Sequence, residues 1–196
     1  MRVSGRGFGL FIIILSLLII SQACSSAPPQ LAGNYSGARV YLQNNIHAQR
    51  GSRDIKASYA NWTDPGQDHI FIPVNTPVSF GKFRRGFAIN DLNTGDTIYF
   101  DYNVQRMGMP SEEYISLITA PHQVDLGNFS EIDQKGIRQG KAYIGMSKKA
   151  VRISLGYPAT HRTPSLESDT WIYWRNRFNT MAVEFGNDGK VKNIGN

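Results

Sequence analysis

Any chemistry in this 196-residue chain must start from groups that attack, bind a metal or move a proton, and such groups are few and scattered. The histidines His47, His69, His122 and His161 stand far apart. They lack the close spacing with which imidazoles clamp zinc, and no carboxylate cluster accompanies any of them. The serines carry no nucleophile-elbow motif. Glu112-Glu113 reads as a helix start, and no glycine-rich phosphate loop ends in the expected Lys. The chain therefore reads as a non-enzyme, with no metal and no cofactor expected. The triplets at Asn34, Asn61 and Asn128 fit glycosylation only in a eukaryotic secretory pathway, which the N-terminus does not suggest. Recognition is better represented. Trp174, Arg175 and Arg177 form a candidate contact surface, since Trp and Arg are enriched in binding hot spots. Strand periodicity puts Trp171 and Tyr173 on one face and Ile172 and Trp174 on the other. If the first pair is core, Trp174 faces outward, or it seals the junction between the two halves of the chain.

The address comes from the other end. Arg2 and Arg6 precede an apolar run from Phe8 to Ile20. Small residues follow, so residues 1–23 read as a signal peptide. The run is too short for the ~20 residues that span a bilayer. Cys24 is the only cysteine, which excludes an internal disulfide. Its setting, Ser21-Gln22-Ala23-Cys24, resembles the lipobox of bacterial lipoproteins, in which the cysteine becomes the first mature residue and carries the lipid. Ser21 stands where Leu is usual, so ordinary cleavage with a free thiol remains the alternative. Ser25 after the cysteine implies, by analogy with enterobacterial sorting, an outer-membrane lipoprotein facing the periplasm. Residues 24–37, with Pro28-Pro29 and Gly33, read as a tether.

Charge is uneven along the mature chain. Residues 25–133 hold 8 Lys/Arg against 11 Asp/Glu, a balance of −3; residues 134–196 hold 11 against 4, a balance of +7. A basic C-terminal part attracts anionic lipid, acidic proteins or nucleic acid, and an exported address argues against the last.

The elements that must position these residues are β first, then mixed. Residues 38–107 alternate in short runs around Asp64-Pro65-Gly66 and Asn90–Asp96. They predict five or six strands of a sandwich- or barrel-like domain, with Pro73 and Pro77 keeping the 69–74 run to an edge or a strand end. Residues 108–128 read as a helical connector with a helix over Ser111–Ile118. Ser130 and Gly140 bracket a second helix; Ser147, Gly156 and Pro158 bracket a third. Trp171–Trp174, Met181–Phe185 and Lys190–Ile194, with the turn Asn187-Asp188-Gly189, predict a three-stranded meander.

Gly140, Gly145, Met146, Ser147, Val151, Leu155, Gly156, Pro158, Trp171, Tyr173, Val183 and Phe185 together resemble the SmpA/OmlA, or BamE-like, family of outer-membrane lipoproteins. The repeats of β-lactamase inhibitor protein share that architecture. The resemblance implies an α+β chain in which residues 129–196 form a BamE-like module, two helices packed on a three-stranded antiparallel sheet. Residues 38–107 resemble no family. The function implied is a cell-envelope accessory, held to the membrane by lipid and binding an outer-membrane assembly protein or anionic lipid. The alternatives are an inhibitor-like binder of an envelope enzyme, or small-ligand binding by the N-terminal β region.

Overall fold

The computed structural model describes Met1 and residues 39–195. The expected signal peptide, tether and lipid-bearing Cys24 lie outside the described residues. Among those described, no helix is long and apolar enough to cross a membrane.

Seven strands open the described chain: β1 Val40–Leu42, β2 Ile46–Arg50, β3 Ile55–Ser58, β4 His69–Ile72, β5 Pro77–Phe83, β6 Gly86–Asp91 and β7 Thr97–Asp101. Helices α1 Val104–Met107 and α2 Ser111–Ile118 follow, then the two-residue strand β8 Thr119–Ala120. Helices α3 Glu131–Gln139 and α4 Lys148–Leu155 lead to β9 Thr170–Trp174, β10 Thr180–Phe185 and β11 Val191–Gly195.

The first eight strands form one curled mixed sheet, a half-barrel in the order β4-β2-β3-β7-β6-β5-β1-β8. Every pairing in it is antiparallel except β3 with β7. Alternation sends Ile55, Ala57, Phe87, Ile89, Ile98 and Phe100 to one face, where Met107, Tyr114, Ile115 and Ile118 of α1 and α2 cover them. β4 lies at an edge, as Pro73 and Pro77 predict. The second sheet, β11-β10-β9, is a small antiparallel meander. Trp171, Tyr173, Val183 and Phe185 are buried beside Ile137, Val151 and Leu155.

The caps behave as their residues predict. Ser130 accepts from the Asp133 N–H, Gly140 closes α3 in the left-handed region, and Ser147 accepts from Ala150 N–H. Asp133 does not reach back to its own helix start. Its carboxylate accepts from the Ser147 N–H at 2.8 Å and the Ser147 hydroxyl at 3.3 Å, tying the start of α3 to the start of α4.

The expected fold class is overturned. In place of a β sandwich or barrel followed by a BamE-like module stands one curled eight-stranded sheet with a small three-stranded one, and the predicted module of two helices on a three-stranded sheet is not seen. The described residues 39–195 fall in a single compact unit. The physical reason lies at the C-termini of α3 and α4, where a helix leaves carbonyls without intrahelical partners. The half-barrel supplies the donors. Asn45 N–H donates to the Ile153 carbonyl at 2.8 Å, and the Asn45 side chain reaches the Ile137 and Ser154 carbonyls at 2.8 and 3.2 Å. His47 bonds the Ser154 carbonyl at 3.0 Å, and the Asn61 side chain donates to Leu155 O. Tyr157 and Ala159, just beyond α4, then enter the core beneath the large sheet. The helices therefore serve both sheets. Within residues 108–128, β8 pairs with β1 of the large sheet.

Candidate functional site

A cleft of about 700 Å³ opens beside β2, β3 and the end of β7. His47, Gln49, Lys56 and Ser58 alternate with residues of the core and bring polar groups to it. The Arg84-Arg85 turn between β5 and β6 forms one side, and Tyr59, Trp62 and Pro65 form another. Asp101, Tyr102, Asn103 and Ser111 complete the rim.

Its charges are unevenly committed. Arg85 Nε lies 3.1 Å from Asp101, and Lys56 Nζ lies 3.1 Å from Asp54, which stands outside the cleft. Arg84 is exposed and has no ion-pair partner among the described residues. Burial, then the carboxylates of Glu113 and Glu112, push the Tyr102 hydroxyl up to about 12. It stays protonated and donates to the Met109 carbonyl at 3.0 Å.

At the inner end His47 is 1% exposed. Its Nε2 faces the Ser154 carbonyl, which can only accept, so Nε2 carries the proton. Its Nδ1 then accepts from His69 Nε2 at 2.9 Å. Burial, reinforced by His69 and opposed by the Ser154 bond, lowers the His47 pKa to about 4. Burial lowers His69 too, against the pull of Asp64. Two neutral imidazoles in series result. Among the described residues no group of three or more His, Cys, Asp or Glu could hold a metal ion.

The wall carrying Trp62 is held by two of the residues singled out in the sequence. Thr63 N–H donates to the Trp174 carbonyl at 3.0 Å and Asp64 N–H to the Arg175 carbonyl at 2.9 Å. The Arg175 guanidinium closes on the Asp64 carboxylate at 3.0 Å. Asn61, at φ 47°, turns the chain into this wall, in a conformation Asn tolerates better than most residues. Trp174 is half-buried, with the Arg162 guanidinium 5.7 Å above its ring. Trp174 and Arg175 therefore meet the 61–64 segment, while Arg177 stays exposed on the hairpin between β9 and β10. There its guanidinium lies 5.7 Å from the ring of Phe178, which is 83% exposed.

Sequence reading missed Lys56, Trp62 and Arg84 as a group, because they come from three segments that only the folded sheet unites. One signal was present: Arg84-Arg85-Gly86, between Phe83 and Phe87, sits between two strand-like runs. Phe178 was also passed over, although it adjoins Arg177 in the sequence. No family model, curated protein or solved structure matches this chain.

Proposed function

We propose that this chain is a non-enzymatic accessory lipoprotein of the bacterial cell envelope, held at the outer membrane by lipid on Cys24. It docks on an anionic partner surface, an assembly protein or acidic headgroups, through the β9–β10 hairpin. The address rests on the export signal, the lipobox-like Cys24 and the SmpA/OmlA-like motif residues. The observation that carries the docking reading is Phe178, 83% exposed beneath the Arg177 guanidinium, in the basic part of the chain. A bare aromatic ring flanked by a cation offers both apolar area and charge, the pairing that binding hot spots favour. Trp174 and Arg175 support the hairpin from behind through their bonds to Thr63 and Asp64.

Two measurements test this. The mature chain with Cys24→Ser is sedimented with vesicles of phosphatidylglycerol and phosphatidylethanolamine, and with phosphatidylcholine alone. In parallel, a photo-crosslinker placed at position 178 is activated in intact cells. For a lipid partner, Arg177→Ala lowers binding to the anionic vesicles about fivefold, and Phe178→Ala lowers it further. For a protein partner, one envelope protein is captured from position 178 and lost with Arg177→Ala. Failure of both arms overturns the docking reading.

A further inference from the structure

We propose that the cleft beside β2, β3 and β7 binds an acidic saccharide, a sugar bearing carboxylate or phosphate. This goes beyond the docking role of the hairpin and rests on different residues. A cleft of about 700 Å³ lies within the ~300–1,000 Å³ of small-ligand sites. Its lining holds three kinds of group. Trp62, with the outward edges of Tyr59 and Tyr102 whose rings pack on the core, gives the cleft apolar surface for the C–H face of a sugar ring. Trp62 is only half-buried, and its indole N–H donates to no described residue, so it is available to a sugar hydroxyl. Ser58, Asn103 and Ser111 add neutral donors and acceptors of the kind a polyhydroxylated ligand requires.

Charge fixes the rest of the class. Lys56, Arg84 and Arg85 line the cleft against a single carboxylate, Asp101, and that one is already paired with Arg85. Arg84 is left to meet an incoming anion, and a guanidinium suits carboxylate or phosphate because its planar fork can bond two oxygens at once. A neutral sugar would leave that group unused, and a small inorganic anion would leave the rings uncovered.

Calorimetric titration of the full mature chain tests this with four probes. Trigalacturonate is the acidic saccharide, maltotriose the neutral one, inorganic phosphate the sugarless anion and adenosine monophosphate the aromatic anion. Trigalacturonate is expected to bind tightest of the four. Arg84→Ala weakens it about tenfold, the size expected for one lost charge-assisted contact. Because Arg84 is exposed on a turn, that variant keeps the melting temperature of the parent, and Trp62→Leu supplies a second, charge-neutral loss. Absence of binding by any probe overturns the proposal. So does maltotriose binding as tightly as trigalacturonate, phosphate or adenosine monophosphate binding more tightly, or trigalacturonate binding that Arg84→Ala leaves unchanged.

Discussion

At the scale of single residues, His47 shows how burial overrides a favourable neighbour. The C-terminus of α4 is the negative end of a helix, and its Ser154 carbonyl favours a proton on the ring. Burial at 1% exposure outweighs both and holds the pKa at about 4, below the unfolded value of 6.5. A lowered folded pKa means that the native state binds fewer protons than the unfolded chain. Stability is then fully present above about pH 6.5 and drains away as pH falls toward 4. The difference corresponds to on the order of 3 kcal/mol for His47 alone, and the lowered pKa of His69 acts in the same direction. Urea midpoints measured from about pH 8 down to about pH 4 should hold to about pH 6.5 and fall most steeply from there toward pH 4. His47→Gln should flatten that limb, because Gln can still donate to the Ser154 carbonyl without titrating. Parallel pH profiles for parent and variant would sink the assignment. No sequence pattern announces this histidine: its partners, Ser154 and His69, are brought to it only by folding.

At the scale of elements, the ends of helices were more readable than their surroundings. Ser130, Gly140, Ser147 and Pro158 marked where α3 and α4 start and stop, because capping is local chemistry within a few residues. β9 was readable from its period of two. β5 was not, because it begins on Pro77 and carries Gly81 in its interior, both poor strand signals despite their tolerated places here. The donors that complete α4 were also hidden. Asn45 and Asn61 read as loop residues, and nothing in their neighbourhood says that they serve carbonyls some hundred positions later. Gly156 sits at that junction, at φ 78° and ψ −169°, a region almost reserved for glycine. A Cβ there would press into the Asn61 side-chain amide and lie 3.2 Å from the Asn44 nitrogen. Gly156→Ala should therefore cost about 2–5 kcal/mol, combining backbone strain with overpacking. Gly145, at φ 90°, has nothing within 4 Å of its would-be Cβ. Gly145→Ala should cost only the strain, about 1–3 kcal/mol. Equal losses in urea midpoint for the two variants would show that the Asn61 contact does not matter.

At the scale of the whole molecule, polar bonds join what the sequence divides. Composition and charge change sign near residue 133, and the SmpA/OmlA-like motifs all lie after it, so a separate C-terminal module was the natural expectation. Hydrophobic periodicity shows which faces are buried, but it is silent on what satisfies a helix end, and that is where the two sheets are tied. Cutting the chain at residue 129 would remove Asn45, His47 and Asn61 together, leaving the Ile153, Ser154 and Leu155 carbonyls without those donors. It would also strip Tyr157 and Ala159 of the core they enter. Exchanging each of those bonds for one to water costs about 0.5–1.5 kcal/mol, and with the core that Tyr157 and Ala159 lose this is a large part of the 5–15 kcal/mol by which a whole domain is stable. Residues 129–196 expressed alone should show no cooperative thermal transition, and residues 39–195 should unfold in one step followed identically by far-ultraviolet circular dichroism and by tryptophan fluorescence. Trp171 and Trp174 report the small sheet and Trp62 the cleft wall, so a biphasic fluorescence melt would reveal two units where the bonds described here require one. A fragment that melts cooperatively on its own would mean that water can replace the half-barrel at the end of α4, and the module would then be autonomous after all.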